Sequence, residues 1–478
     1  MSLKRQALAG MVWTFGQQMG TQMIGFIVSM ILARLLQPSD FGVIALFGVL
    51  LGIGGVFVSS GLATSLIRTP ETDDSDYSTV FIFNVAVSIL VYAALYIAAP
   101  YVADFYKLPL LTDVVRVYSI TIVIGALSTV QQTLLTKQLN FKKQMYISLP
   151  SLVLGGIAGV VLAYMNFGVW ALVHMAIIQS LLSCIFFWIL SDWRPRLIFS
   201  KVKFKYHFAF GYKMALSGLL DILFTNSYTI IIGKLYSPAQ VGFFNRADSL
   251  KQLPVSNLAG ALNKVTFPLF AKIQHDDVQL RVVYRKIMQM VIYIIAPVLS
   301  IMVVLAEPLF RLLFTEKWLP AVPYFQVLSV AGLLYPIHAY NLHILQIKGR
   351  SDLFLRLEVI KKVLMLVIIA ASLYFGMMGL VWGQVVFSLV ALFINMHYTG
   401  KFLSYTAWHQ FLDLLPAIGL SVVMAFVIRE LDFYLLRNAM DWVRVLAGSA
   451  IGAVLYVGIS YILKFSELNE IKILLSKK

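Results

Sequence analysis

The chain is short of what a water-soluble protein of its size needs at its surface. Only 13% of its 478 residues are charged and 60% are hydrophobic, and the mean hydropathy is +0.84. A folded soluble domain covers itself with far more polar side chains, so that class is excluded. Polar stretches between the apolar runs reach only about 10–20 residues, which leaves no room for an inserted domain. Cysteine is nearly absent: Cys184 stands alone, inside an apolar segment. A single cysteine allows no internal disulfide and no cysteine-based metal site, and this one reads as a small core residue. The sequence holds no glycine loop ending in Lys-Ser/Thr, no His-Glu-x-x-His and no nucleophile elbow. No enzyme activity, metal or cofactor is therefore expected.

Apolar runs of about 20 residues are present along the whole length, each long enough to cross roughly 30 Å of hydrocarbon. A β-barrel would instead alternate in short segments. The pattern predicts an all-α integral membrane protein with about fourteen transmembrane helices. Lys4 and Arg5 precede the first run as in a signal peptide. That run is too long, contains Gln17, Gln18 and Gln22, and lacks a clear small-residue cleavage site, so a retained helix is expected.

One phrase occurs twice. Ile31-Leu32-Ala33-Arg34-Leu35 is followed by Pro38 and Gly42, and Ile231-Ile232-Gly233-Lys234-Leu235 by Pro238 and Gly242. Each copy ends an apolar run on a cation, turns at proline and restarts after glycine. Two tight joints, Asn166-Phe167-Gly168 and Phe375-Gly376-Met377, fall between the fifth and sixth helices of each half. Both signs predict an internal repeat. The expected lobes are 1–195 and 196–400, six helices each, with two accessory helices in 401–478. Two similar lobes in a bilayer suggest a transporter. Gly155/Gly159 and Gly448/Gly452 have small-xxx-small spacing, which points to close helix packing.

Lys and Arg exceed Asp and Glu by 38 to 22. A nucleic-acid partner is not expected, because basic residues collect in the cytoplasmic loops of membrane proteins. With the N-terminus in the cytoplasm, Lys137/Lys142/Lys143, the 194–205 loop, Lys272/Arg281/Arg285/Lys286, Lys348/Arg350/Arg356 and the C-terminal lysines share that side. The other side keeps Arg34, Lys107, Arg116, Lys234, Arg311, Lys317, Arg429, Arg437 and Arg444. Both termini are expected in the cytoplasm, with the basic 190–208 loop against anionic headgroups.

Ionisable residues deep in a membrane usually face a cavity or a partner. The eighth apolar run, 239–271, carries Asn245, Arg246, Asp248, Lys251, Asn257, Asn263 and Lys264. It is expected to line a cationic cavity; charges near helix ends that snorkel to the interface are the alternative. The seventh holds Lys213, Asp221 and Lys234, with Asp221 either a proton or cation site or a salt-bridge partner. Gln18 and Gln22 share one face of the first helix, which ends at Arg34. The tenth holds His338, Asn341, His343 and Gln346. The five-residue spacing of the histidines argues against a paired metal site. Asp248 and His338 join Asp221 as candidates for ion coupling. Glu71, Asp73, Asp74 and Asp76 read as a solvated acidic turn.

Trp13, Gly16 and Gln17, followed by Ala33-Arg34-Leu35-Leu36-x-Pro38-x-Asp40-Phe41-Gly42, resemble the polysaccharide exporters of the multidrug/oligosaccharidyl-lipid/polysaccharide superfamily. Ala103-Asp104-Phe105-Tyr106, Leu134-Leu135-x-Lys137-Gln138-Leu139-x-Phe141-Lys142-Lys143, Gly242-Phe243-Phe244-Asn245-Arg246-Ala247 and Lys348-Gly349-Arg350 resemble its colanic-acid-exporter-like branch. The resemblance covers essentially the whole chain. It implies a flippase that moves undecaprenyl-diphosphate-linked oligosaccharide across the bacterial inner membrane by alternating access. A diphosphate needs cations, offered by Arg34, Lys213, Lys234, Arg246, Lys251 and Lys264. Sugars need amides and hydroxyls, offered by Gln18, Gln22, Asn245 and Asn341. Expected partners are the lipid-linked substrate, membrane lipids, and a polymerase or glycosyltransferases; a monomer is expected. A multidrug exporter would carry acidic cavity residues, and a membrane polymerase or ligase a large outward loop.

Overall fold

A computed structural model describes the backbone of residues 3–59 and 61–470, and their side chains apart from 3–12, 59, 259 and 261–265. Every regular element among the described residues is helical. In chain order these are α1 Leu3–Leu35, α2 Pro38–Ser59, α3 Leu62–Arg68, α4 Asp74–Tyr106, α5 Leu110–Tyr118, α6 Ile120–Lys137, α7 Phe141–Tyr164, α8 Val169–Leu190 and α9 Lys201–Thr225. There follow α10 Ser227–Leu235, α11 Pro238–Lys272, α12 Asp277–Val304, α13 Ala306–Phe314, α14 Val322–Ile347, α15 Ser351–Ser372, α16 Gly376–Leu403, α17 Ala407–Leu431 and α18 Asp441–Ile462. A π-turn, Asp432–Leu436, continues α17.

Among the described residues, twelve helical spans are long and apolar enough to cross a bilayer, so the chain is a multi-pass membrane protein. The count differs from the expected fourteen or so. Ser351–Leu403 counts once among the twelve, although it holds two helices, α15 and α16, that pack on each other across a turn at Gly376, whose φ is +68°. The 35-residue α11 is not among the twelve; Arg246, Asp248 and Lys251 charge its first half. The matching α7–α8 joint also turns through positive φ, at Asn166 and Gly168. The run 207–235 breaks at Asn226, whose side-chain amide donates to the Ile222 carbonyl at 2.8 Å. That bond closes α9 and lets α10 start afresh.

Contacts divide the chain into two compact units, Met1–Gly242 and Phe243–Lys478. The division falls beyond the 195/196 boundary drawn from the repeat, because α9 and α10 pack against α2 and α4. In the first unit α7 packs between α1 and α8, and α6 between α4 and α8. A Cβ added at Gly155 of α7 would lie 2.7 Å from Gln179 Cβ of α8, and one at Gly159 2.8 Å from Met175 Cβ. The small-residue face therefore lets the two helices approach closely, as its spacing predicted. In the second unit α12, α14, α16 and α17 enclose a core around Tyr284, Met288, Ile292, Tyr340, Met396 and Met424. Gly448 and Gly452 of α18 press against Leu305, Ile428 and Ile301.

The two copies of the repeated phrase meet inside the first unit. A Cβ on Gly42 would lie 1.8 Å from the Pro238 carbonyl oxygen, and a Cβ on Gly242 2.0 Å from that of Pro38. The contact is reciprocal, residue for residue, as a two-fold relation between the copies requires.

Candidate functional site

A cavity of about 560 Å³ opens within the first unit, a size typical of small-ligand pockets. Four glutamines line it (Gln17 of α1, Gln132 of α6, Gln144 of α7 and Gln179 of α8) with Ser128, Ser148, Ser180, Ser183, Thr121, Thr129 and Tyr118. Among the described residues, no carboxylate, lysine, arginine or histidine is in the lining. The close α7–α8 approach at Gly155 sets the backbone position of Gln179. Gln17 Nε2 donates to Ser148 Oγ at 3.0 Å and Gln144 Nε2 to Thr136 Oγ1 at 2.8 Å. The Ser148 hydroxyl donates to the Gln144 carbonyl at 2.9 Å. These bonds fix two of the amides, while each amide oxygen and hydroxyl keeps further bonding capacity. The arrangement suits an uncharged, hydroxyl-rich molecule, because it offers donors and acceptors without charge.

Of the first-helix residues expected to face a polar cavity, Gln18 is exposed and Gln22 half-buried. Neither lines this cavity; Gln17 does. Gln22 Oε1 is buried with no hydrogen-bond partner. Arg34, Lys213 and Lys234 are exposed. Lys234 is committed locally: Nζ donates to the Phe105 carbonyl at 2.6 Å and lies 4.1 Å from the Phe105 ring centre. Lys213 lies 5.9 Å from the ring of its neighbour Tyr212. Asp221 is exposed.

In the second unit Arg246 is buried at 8% exposure. Its guanidinium sits 4.9 Å from the Phe314 ring centre and 5.0 Å from that of Trp318. Cation–π attraction from two rings holds the planar fork in a sheltered site. Lys251, also buried, donates to Asp248 Oδ1 at 2.5 Å, a match made within a single turn. Asn245 is half-buried. The Lys264 side chain lies outside the described residues. His338 bridges helices: its Nε2 is 3.1 Å from Ser388 Oγ and its Nδ1 3.2 Å from Asn395 Nδ2, both on α16. Asn341 is fully buried and donates to the Ile337 carbonyl, leaving its Oδ1 without a partner. His343 packs instead on Phe267 and Tyr340, and no metal-ligating cluster occurs among the described residues.

Residues 31–323 match a family profile described as "Polysaccharide biosynthesis protein". The chain belongs to this polysaccharide biosynthesis family. It is 26% identical over 442 residues to the Escherichia coli lipopolysaccharide biosynthesis protein WzxC, covering 91% of this chain and 86% of that one. To the Bacillus subtilis teichuronic acid biosynthesis protein TuaB it is 25% identical over 354 residues, or 74% and 73% of the two chains. In fold it is similar to the lipid II flippase MurJ in an inward closed conformation, with TM-score 0.75, 13% identity, and 95% and 98% of the chains covered. A multidrug resistance MATE family transporter, facing inward, gives TM-score 0.61 at 17% identity, with 80% and 96% covered.

This member of the family also holds a polar tie that its motifs did not reveal. Ser65 Oγ lies 2.8 Å from His207 Nδ1, and His207 Nε2 3.2 Å from Asp76 Oδ1. Serine, histidine and aspartate are the residue types of a hydrolase triad, but the ring is reversed here, since in a triad Nε2 faces the hydroxyl and Nδ1 the carboxylate. Ser65 and His207 are 3% and 0% exposed, so no substrate reaches the hydroxyl, and the trio instead fastens α9 to α3 and α4. Lys203 adds bonds to Asp73 and Asp76 at 2.5 and 2.8 Å. The turn expected to be a solvated acidic patch is thus only partly so. Asp73 caps α4 in a capping box with Asp76, and its carboxyl is held down at about 2, chiefly by the Lys203 hydrogen bond.

Proposed function

We propose that the protein carries a lipid-linked oligosaccharide, of the undecaprenyl-diphosphate type, across the bacterial inner membrane by alternating access. The observation that carries this reading is the cavity of the first unit, lined by amides and hydroxyls with no charged side chain among the described residues. Sugar hydroxyls pair with such groups without the desolvation cost of an ion. Support comes from the family, from relatives named for lipopolysaccharide and teichuronic acid biosynthesis, and from a fold similar to that of a lipid II flippase. Arg34, Lys213, Lys234, Arg246, Lys251 and Lys264 are the cations proposed to meet the diphosphate, with Arg246 foremost because two rings fix its fork. Gln18, Gln22, Asn245 and Asn341 remain proposed polar contacts, now joined by Gln17, Gln132, Gln144 and Gln179. Asp221, Asp248 and His338 are proposed for ion coupling.

The proposed lobes are 1–195 and 196–400, with 401–478 accessory, and both termini cytoplasmic on the lysine and arginine bias. Deleting the gene should abolish surface polymer and leave its lipid-linked units inside the cell; polymer export at normal levels would refute the proposal. Orientation is tested in a Cys184→Ser background with cysteines introduced at Lys201 and Arg437. An impermeant thiol reagent added to intact cells should label only the position at Arg437. Labelling of the position at Lys201 alone would invert the topology.

A further inference from the structure

The second unit contains another cavity, of about 470 Å³, where α13, α17, the π-turn and α18 meet. Its lining is Glu307, Arg311, Arg429, Asp432, Phe433, Arg437 and Arg444. Four guanidinium groups around one small cavity are costly to gather unless anions neutralise them. The acids present satisfy only part of the set. Arg444 holds Asp432 in a two-pronged bond, Nε to Oδ1 at 2.9 Å and Nη2 to Oδ2 at 2.6 Å. Arg311 bonds Glu307 Oε1 at 2.7 Å and Asp441 Oδ1 at 3.2 Å. Asp441 also reaches Arg444 at 3.7 Å, and Glu316 reaches Arg311 at 3.8 Å. Every one of these acids is spent on the two inner arginines. Arg429 and Arg437, both exposed, make no ion pair among the described residues; Arg437 rests 5.3 Å from the Phe433 ring centre.

The surroundings say what kind of anion fits. Phe433, Tyr434, Leu435, Met440 and Trp442 are each more than half exposed at this same end of α17 and α18. Aromatic and aliphatic side chains left bare beside arginines belong at the boundary between hydrocarbon and headgroups. We propose that this basin binds the phosphate group of a membrane lipid, with Arg429 and Arg437 as its two free forks and the Arg311–Asp441–Arg444 network as a rigid floor. Guanidinium forks match phosphate oxygens two at a time, and the bare apolar belt accommodates the lipid's chains. The inference takes from the proposed orientation only that this end lies at the outer face. It gives the last two helices, which the six-plus-six repeat leaves over, a task of their own.

The test uses the full chain in lipid nanodiscs of phosphatidylcholine containing a minority of phosphatidic acid, and measures the phosphatidic acid retained by mass spectrometry. A second arm uses pure phosphatidylcholine with inorganic pyrophosphate in solution and reads the melting temperature. Arg429→Gln/Arg437→Gln should retain phosphatidic acid at least about tenfold more weakly than wild type, as expected for two lost charge-assisted contacts. Lys107→Gln/Lys401→Gln, which removes the same charge elsewhere on the surface, should behave as wild type. Equal retention by wild type and the arginine variant would overturn the proposal. So would stabilisation by pyrophosphate without any lipid preference. If the glutamine pair is not recovered folded, Arg429→Lys/Arg437→Lys keeps the charge and loses the forks; it must still bind more weakly, and equal binding overturns the site. No transport is measured, so failure here leaves the proposed transport standing.

Discussion

Alanine at Gly42 should cost the protein much of its stability, while alanine at Gly48, two turns further along the same helix, should not. At position 42 the new methyl would sit 1.8 Å from the Pro238 carbonyl oxygen, whereas at Gly48 nothing lies within 4 Å. Non-bonded carbon contacts are optimal at about 3.5–4.0 Å, so two backbone segments must separate by well over ~1 Å to admit it. Forcing atoms into a packed site usually costs about 1–3 kcal/mol, and backbone yields less readily than a flexible side chain. Alanine itself favours a helix by roughly 0.5–1 kcal/mol over glycine. The net expectation is a loss of about 1–2 kcal/mol at Gly42 and a small gain at Gly48. Gly242→Ala, with its methyl 2.0 Å from the Pro38 carbonyl oxygen, should match Gly42→Ala. The double variant should cost less than the sum, because one separation relieves both clashes. Melting in detergent, followed by fluorescence-detected gel filtration, reads all four variants. Similar melting of Gly42→Ala and Gly48→Ala would refute the close approach, and a tolerated Gly242→Ala would refute its reciprocity.

Replacing Gln132 or Gln179 by Leu should weaken substrate binding roughly three- to tenfold each by removing a neutral hydrogen bond; unchanged binding of the lipid-linked sugar would separate the cavity from the substrate. Arg246→Ala should cut polymer export sharply at native protein levels and Lys251→Ala should do so less, since Asp248 already matches that lysine; Lys201→Ala should do little. If neither Arg246→Ala nor Lys251→Ala affects export, the diphosphate is held elsewhere. On acidification, the depressed Asp73 carboxyl contributes stability that is fully present above the ordinary value near 3.8 and is lost as pH falls through about 2. Asp73→Asn should therefore flatten the acid limb of the melting curve in that window, and an unchanged limb would show that the Lys203 bond does not matter in solution.

The helices were legible because continuous apolar runs admit few alternatives, and the joints at Gly168 and Gly376 because positive φ favours glycine. The repeat could be read from a cation, a proline and a glycine at fixed spacing, although nothing in the sequence says that Gly42 and Gly242 touch. The first-unit cavity was hidden. Gln132, Gln144 and Gln179 lie one to a helix on α6, α7 and α8, so no local pattern joins them and only packing does. An amide inside an apolar run was the available signal, applied to Gln18 and Gln22 when the neighbouring Gln17 is the one that faces inward. The charges of α11 were visible, but the Asp248–Lys251 pair and the rings around Arg246 were not. In Glu71 to Asp76, sequence conveys acidity; it does not convey that His207 and Lys203, more than a hundred residues away, close on Asp76.

Transport of a sugar-bearing lipid is observable with purified protein in sealed vesicles. Vesicles carrying a fluorescent undecaprenyl-diphosphate-linked oligosaccharide are exposed to a membrane-impermeant quencher. Without protein, only the lipid in the outer leaflet is quenched. With the wild-type chain, quenching should proceed to nearly all of it, and Arg246→Ala should slow that second phase. Quenching that stops at the outer leaflet in vesicles holding folded wild-type protein would contradict the account.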